Sequence, residues 1–180
     1  EIKYDKNVFY VAILIKSKEK KDVLVLSNIN TWTAYNAWAG YNNDSISLYR
    51  WNSNTNNKYK YHDRSLRISL NKPHPIISND IKYYINNDIY SNKPYRSHLL
   101  YAELCMYEFL KKNKIRFNLI NDIDMHQNES LLHNYKLIIF HGHPEYWTEK
   151  QIIILNKMIT LGTNIAYFGA NGLYWNTKYD

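Results

Sequence analysis

Apolar residues fall in short blocks separated by charged and polar ones, and the length of each block predicts an element. Phe9-Tyr-Val-Ala-Ile-Leu-Ile15 and Val23-Leu-Val-Leu-Ser-Asn-Ile29 are rich in β-branched and aromatic residues and bounded by charge, the pattern of buried strands. From Asn30 to about Arg96 no helical or strand period appears, apart from a weak strand at Leu66 to Leu70. A stretch this long inside a domain is usually functional or disordered. Its first half carries too many aromatics for ordinary disorder. Its second half, Asn71 to Asn92, with Pro73, Pro75 and paired Asn, reads as a surface connection.

Regular order returns at Ser97. Leu99, Ala102, Met106, Phe109 and Leu110 recur at helical spacing, predicting a helix to Lys112 with lysines at the end where the helix dipole favours cations. Cys105, among Leu104, Met106 and Phe109, reads as a small buried hydrophobe of that helix. A strand follows at about Arg116 to Ile120, then a short helix from Glu129 to His133 capped by Asn128, then a strand from Lys136 to His141. Thr148-Glu-Lys-Gln151 is a capping box, Ile152, Leu155, Met158 and Ile159 line one face of the helix it opens, and Gly162 stops that helix. The last strand is Asn164 to Phe168. This alternation predicts an α/β fold with a mostly parallel sheet flanked by helices, built from right-handed crossovers, with a long irregular aromatic-rich insertion after an early strand. A single domain over 1–180 is expected. No closing helix follows the last strand, which suggests a fragment of a larger multidomain subunit.

Composition narrows the function classes. The chain has 180 residues and one cysteine, which excludes a disulfide scaffold, Cys-rich zinc ribbons and iron–sulfur clusters. Its longest apolar runs fall well short of the roughly 20 residues needed to cross a bilayer. The sequence opens on Glu1 with no leader pattern, so any targeting segment lies outside it; a cytoplasmic location is the expectation, though the sequence does not determine it. The net charge of +7 is scattered, with one cluster at Lys16-Ser-Lys-Glu-Lys-Lys21 that reads as a solvated turn, so nucleic-acid binding is disfavoured. With 18 Tyr and 24 Asn beside many Lys and Ile, the composition is biased, and a single Tyr or Asn carries little information.

In open α/β sheets ligands bind beyond the carboxyl ends of the strands. Three such ends are unusually polar: Asn30 to Gly40, Gly142-His143-Pro144-Glu145-Tyr146-Trp147, and Gly169-Ala170-Asn171-Gly172-Leu-Tyr174-Trp175. Pro144 is expected to hold the peptide extended, leaving His143 and Glu145 able to face the same crevice as an acid/base or metal-binding pair. A purely structural role fits the same residues, with Glu145 capping the helix at Thr148, His143 a satisfied loop residue and Asn171 a turn former. There is no His-Glu-x-x-His, no Gly-x-Ser-x-Gly and no phosphate-binding glycine loop, which removes standard zinc hydrolases, serine hydrolases and nucleotide binding. Carboxylate, imidazole, amide and phenol chemistry remains.

Thr31-Trp-Thr-Ala-Tyr35-Asn-Ala-Trp, Ser47-Leu-Tyr49, Asp122-Ile-Asp124-Met-His126, Gly142-His-Pro-Glu-Tyr-Trp-Thr148 and Gly169-Ala-Asn-Gly-Leu-Tyr-Trp175 together resemble the catalytic domain of the N,N-dimethylformamidase large (β) subunit family, over roughly Val23 to Trp175. The resemblance implies a mononuclear iron, ferric in character, held by Tyr35, Tyr49 and Glu145, with His143 and Asn171 lining the site as catalytic residues. Tyr41, Tyr146 and Tyr174 are the rival phenols. Phenolate and carboxylate are hard donors suited to such an ion. It further implies an amidohydrolase that releases formate and an amine from small N-substituted formamides, on a glutamine amidotransferase-like or flavodoxin-like sheet that lacks the amidotransferase cysteine. A small accessory subunit and a homo-oligomeric full-length protein belong to the same expectation, with no nucleic-acid or membrane partner. Trp32, Trp38, Trp147 and Trp175 would wall a pocket for N-alkyl groups. The competing readings are a non-catalytic module binding a carbohydrate-type ligand on the same fold and a single-stranded nucleic-acid binder stacking bases on tyrosines.

Overall fold

Hydrogen-bonding between Val23–Ser27 and its neighbours sets the architecture. The computed structural model describes residues 2–4, 7–9, 13–35, 48, 67–71 and 99–180. The chain divides into two compact units, residues 1–12 with 32–92 and residues 13–31 with 93–180. In the first, β1 (Ile2–Tyr4) and β2 (Asn7–Phe9) pair antiparallel, and Asn71 donates its N–H to Ser69 Oγ in a turn. Residues 67–70 are not a strand, so the weak strand expected there does not form among the described residues. Of the strand expected from Phe9 to Ile15, Phe9 ends β2, residues 10–12 lie outside the described residues, and Ile13 and Ile15 are exposed and not in a strand.

The second unit holds β3 (Val23–Ser27), the start of α1 (Ile29–Tyr35), α2 (Leu100–Lys112), β4 (Phe117–Asn121), α3 (Asp122–Gln127), a 3-10 turn (Glu129–Leu132), β5 (Leu137–Gly142), β6 (Tyr146–Thr148), α4 (Glu149–Thr160), β7 (Asn164–Gly169) and β8 (Trp175–Thr177). Its sheet is wholly parallel in the order β4-β3-β5-β7. The chain goes from β3 to β4 on one side and returns to β5 on the other, so the order reverses at β3. That reversal leaves a crevice where β3 and β5 part. Their ladder covers Val23–Val25 against Leu137–Ile139, whereas β5 stays paired with β7 as far as Gly142 and Gly169.

Strand periodicity sends alternate side chains to opposite faces. Leu24, Leu26, Ile120, Ile138 and Phe140 meet Met125, Leu132, Trp147, Ile154, Leu155 and Met158 in the larger core. Val25 and Ile139 face the other way, against Leu110, Met106 and Tyr107 of α2. Helices therefore cover both faces, as parallel strands require.

The helices sit close to their expected positions, and Leu99, Leu110, Leu155 and Met158 are buried as expected, with Met106 and Ile152 packed against the cores. In α2 the buried stripe is Leu99, Glu103 and Leu110, while Phe109 is 58% exposed and Cys105 is exposed rather than buried. In α4 the buried face is Gln151, Ile154, Leu155 and Met158, and Ile159 is half exposed. In each case the apolar residues outnumber the places on the buried stripe, and the surplus faces outward. The expected stop signals form. Thr148 and Gln151 make the reciprocal capping box, at 3.2 and 2.7 Å, and Asn128 Oδ1 accepts from Ser130 N at 3.1 Å. Gly162, at φ +89°, donates to Ile159 O while Thr163 donates to Met158 O, closing the helix as a Schellman motif. Two helices were not anticipated: α1 in the stretch without a period, and α3, opened by a second capping box of Asn121 and Asp124. Among the described residues no helix is long and apolar enough to cross a membrane.

Phe140 is 1% exposed and packs against Trp147 with ring centroids 5.3 Å apart. Phe140→Ala is expected to lower stability by about 3–5 kcal/mol. Urea denaturation checks it: the midpoint should fall while the m-value stays unchanged.

Candidate functional site

The end of β5 turns sharply. Gly142 lies at φ +70°, and Glu145 donates its N–H to His143 O at 2.9 Å, so Pro144 sits at the centre of a tight turn rather than in extended backbone. The proline ring fixes φ at a value that extended backbone and an inverse γ-turn share, so it permits the bend without imposing it. The N–H of Glu145 also reaches Thr31 Oγ1, at 3.0 Å, and that of Tyr146 reaches the same oxygen at 3.4 Å. Glu145 is 3% exposed and His143 half-buried. The helix that follows is capped by Thr148 and Gln151, so Glu145 is not its cap.

The loop after β7 lies on this turn through backbone bonds. Ala170 N–H donates to Gly142 O, Leu173 N–H to Pro144 O, and Tyr174 and Trp175 N–H both to Glu145 O, all at 2.9–3.0 Å. The approach leaves no room for a Cβ at Gly169, where it would lie 2.7 Å from Pro144 Cδ. Asn171 and Leu173 both adopt positive φ, +48° and +54°. Such backbone is uncommon for leucine and costs on the order of 1–2 kcal/mol, borne here by the bonds around it. Asn171 itself is exposed. The two motifs that carry His143, Glu145 and Asn171 thus form one interlocked structure at the carboxyl edge of the sheet, continued by parallel pairing of β6 with β8.

Beneath that edge lies a buried polar layer. Glu103 of α2 is 1% exposed. Its Oε1 accepts from Asn28 N (2.8 Å) and Asn28 Nδ2 (3.0 Å), and its Oε2 from Ser27 Oγ (2.5 Å) and Tyr107 Oη (2.8 Å). Asn28 Nδ2 also donates to His141 O, at 2.7 Å. Asp122, at the end of β4, accepts from Asn30 N at 2.9 Å through Oδ2, and its Oδ1 has no partner among the described residues. Asn30 Nδ2 donates to Tyr146 O at 3.3 Å, and Gln151 Nε2 to Asp122 O at 2.6 Å. Burial pushes Glu103 up to about 7 against the pull of its donors. Burial also raises Asp122 well above the carboxylate range, and the nearby Glu103 charge adds to that shift. His141 points toward α2, edge-on to Tyr107 at 5.6 Å; burial holds its imidazole down to about 4, and neither ring nitrogen has a partner among the described residues.

Tyr35 is the last residue of α1, and Tyr49, the other expected phenol ligand, lies outside the described residues, as do Tyr41 and Trp38. Of the rival phenols, Tyr146 is buried and Tyr174 is 67% exposed. Trp147 belongs to the larger core, packed on Phe140, rather than to a pocket wall, and Trp175 stacks on Tyr146. Among the described residues no three His, Cys, Asp or Glu side chains form a metal-binding group. Sequence pattern gives Glu103 and Tyr107 no role and places Ser27 and Asn28 only in a strand. One signal was present: Glu103 occupies the buried stripe between Leu99 and Leu110, where an apolar residue would be expected.

The sequence profile of the family described as N,N-dimethylformamidase beta subunit-like, C-terminal, matches residues 3–180. The N,N-dimethylformamidase beta subunit of Alcaligenes sp is 30% identical over 75 residues, 41% of this chain. That stretch covers only 10% of the relative's own length.

The displaced acid makes stability depend on pH with a defined sign. An unfolded glutamate titrates near 4.5 and folded Glu103 near 7, so between these values the folded state holds a proton that the unfolded state has released. Its contribution is full below 4.5 and is lost as pH rises to about 7. The stability of the wild-type protein relative to Glu103→Gln is expected to fall by about 3 kcal/mol across that window and to level off above it. Urea denaturation at a series of pH values reads the difference, from which the contribution of His141 cancels, whereas that of Asp122, raised in part by the Glu103 charge, cancels only while Glu103 is protonated.

Proposed function

The chain belongs to the N,N-dimethylformamidase beta subunit-like, C-terminal family, and from that membership we propose that it is the iron-bearing domain of an amidohydrolase acting on small N-substituted formamides. The observation that supports the reading most directly is the interlocking of the Gly142–Thr148 and Gly169–Trp175 motifs through backbone bonds at the carboxyl edge of a parallel sheet. The strand order β4-β3-β5-β7 supports a flavodoxin-like or glutamine amidotransferase-like fold as part of the same proposal. The relative's description as a beta subunit supports a partner subunit and assembly into an oligomer.

The donor chemistry fits the metal. Tyr35, Tyr49 and Glu145 offer hard oxygen donors, and Glu145 does so from a buried turn whose backbone is fixed by Thr31. Bound there, a ferric ion would supply Lewis acidity to an amide carbonyl. In this proposal His143 takes a proton from the attacking water and passes it to the departing amine as the C–N bond breaks. Asn171 orients the carbonyl and donates to the oxygen as charge grows on it. The hydroxyl oxygen of water ends in formate, and its proton on the amine.

Metal analysis with a visible spectrum of the full-length protein tests this. About one iron per chain with a broad phenolate-to-iron band is expected, falling below about a tenth of that in Glu145→Ala, while Tyr35→Phe weakens the band. Undiminished iron in Glu145→Ala overturns the ligand assignment. A colourless protein that takes up no iron favours the non-catalytic, carbohydrate-type binding module instead.

A further inference from the structure

We propose that Glu103 is a positioning residue for the turn that carries His143 and Glu145, acting through Asn28 on the carbonyl of His141. Its functional weight rests on the reading above; the mechanical link does not. The β3–β5 ladder ends at Val25 and Ile139, so His141 lies past the last backbone pair joining these two strands. The Asn28 side chain crosses that gap to His141 O, one residue before the Gly142 turn. A short amide side chain makes such a bridge only if its rotamer is fixed, and Glu103 Oε1 fixes it by accepting from both the backbone N–H and the Nδ2 of Asn28.

The two carboxyl oxygens divide the work. Oε1 accepts from two amide N–H groups, which cannot reverse, whereas Oε2 faces the hydroxyls of Ser27 and Tyr107, which can turn and accept. A proton on Glu103 therefore settles on Oε2, and the Asn28 link survives in both protonation states. Gln in place of Glu103, with its carbonyl toward Asn28 and its NH2 toward the hydroxyls, reproduces the protonated acid. Ala removes the acceptor and leaves both Asn28 donors without it.

The experiment is amide hydrogen exchange on the full chain, comparing wild type with Glu103→Ala, Glu103→Gln and Leu110→Ala. Leu110, also on α2 and 3% exposed, controls for loss of stability from the same helix. The amides of Glu145, Tyr146 and Ala170, each bonded within the turn or to its partners, are expected to exchange at least about tenfold faster in Glu103→Ala than in Leu110→Ala at matched global stability. Glu103→Gln should match wild type. Loop exchange in Glu103→Ala no faster than in Leu110→Ala overturns the proposal, as does Glu103→Gln behaving like Glu103→Ala. If Glu103→Ala does not fold, Asn28→Ala reads the same link from its other end, and unchanged loop exchange there overturns it equally. Iron retention separates the two readings: wild type without iron but with the expected exchange pattern defeats the metal assignment and supports the link.

Discussion

A helix that starts inside a protein brings N–H groups that neither water nor its own backbone satisfies. α1 starts this way, at the carboxyl end of β3, with Asn28 and Asn30 3% and 6% exposed. Two carboxyl groups from distant parts of the chain meet the need, Glu103 at Asn28 N and Asp122 at Asn30 N. The rest of the edge hangs from the turn they fix: Asn28 holds His141 O, Asn30 holds Tyr146 O, and Thr31 receives the N–H groups of Glu145 and Tyr146. Where the strand ladder stops, side chains of one helical turn take over the joining of β3 to the loop after β5.

Most of the sheet was legible because its signals are local. Leu137 to Phe140 is a continuous apolar run, and Thr148-Glu-Lys-Gln151 fixes a helix start by the bonds its own side chains make. α1 was not legible, because Ile29–Tyr35 has neither an apolar period nor a capping pattern of its own; its partners at Glu103 and Asp122 lie more than seventy residues away in sequence. Phe109 of α2 and Ile159 of α4, expected inside, face outward for a related reason. Apolar residues occupy more than one stripe in both helices, and only contacts decide which stripe is buried. The interior places of Glu103 and Gln151 run against composition and become visible once their bonds are seen.

At the candidate site, the motif residues and their geometry were legible to different degrees. The Gly-His-Pro-Glu string marked the end of β5, but the proline suggested extended backbone, whereas the fold bends it so that Glu145 N–H reaches both His143 O and Thr31 Oγ1. A proline's fixed φ is compatible with either conformation, and the bond to Thr31, a tertiary contact, favours the bend. Tyr35 and Tyr49 stood out only through the family resemblance, since 18 tyrosines give no single one a physical distinction. Pro144 of the facing turn approaches Gly169 too closely for a side chain there.

The acid at Glu103 runs against the ordinary rule that buried charge is avoided. Its raised titration means that the donors around it do not fully offset desolvation, and its charge makes ionisation of Asp122 harder. An apolar residue there would remove that penalty but strand two Asn28 donors in the interior, at a cost of about 1–3 kcal/mol each. An amide satisfies the donors without the charge, so for stability alone glutamine is the better choice at neutral pH. What a carboxyl group adds is a proton on Oε2 that can be lost near neutral pH while Oε1 keeps accepting from Asn28. The acid thus titrates beneath the β5 turn without giving up the acceptor that faces Asn28.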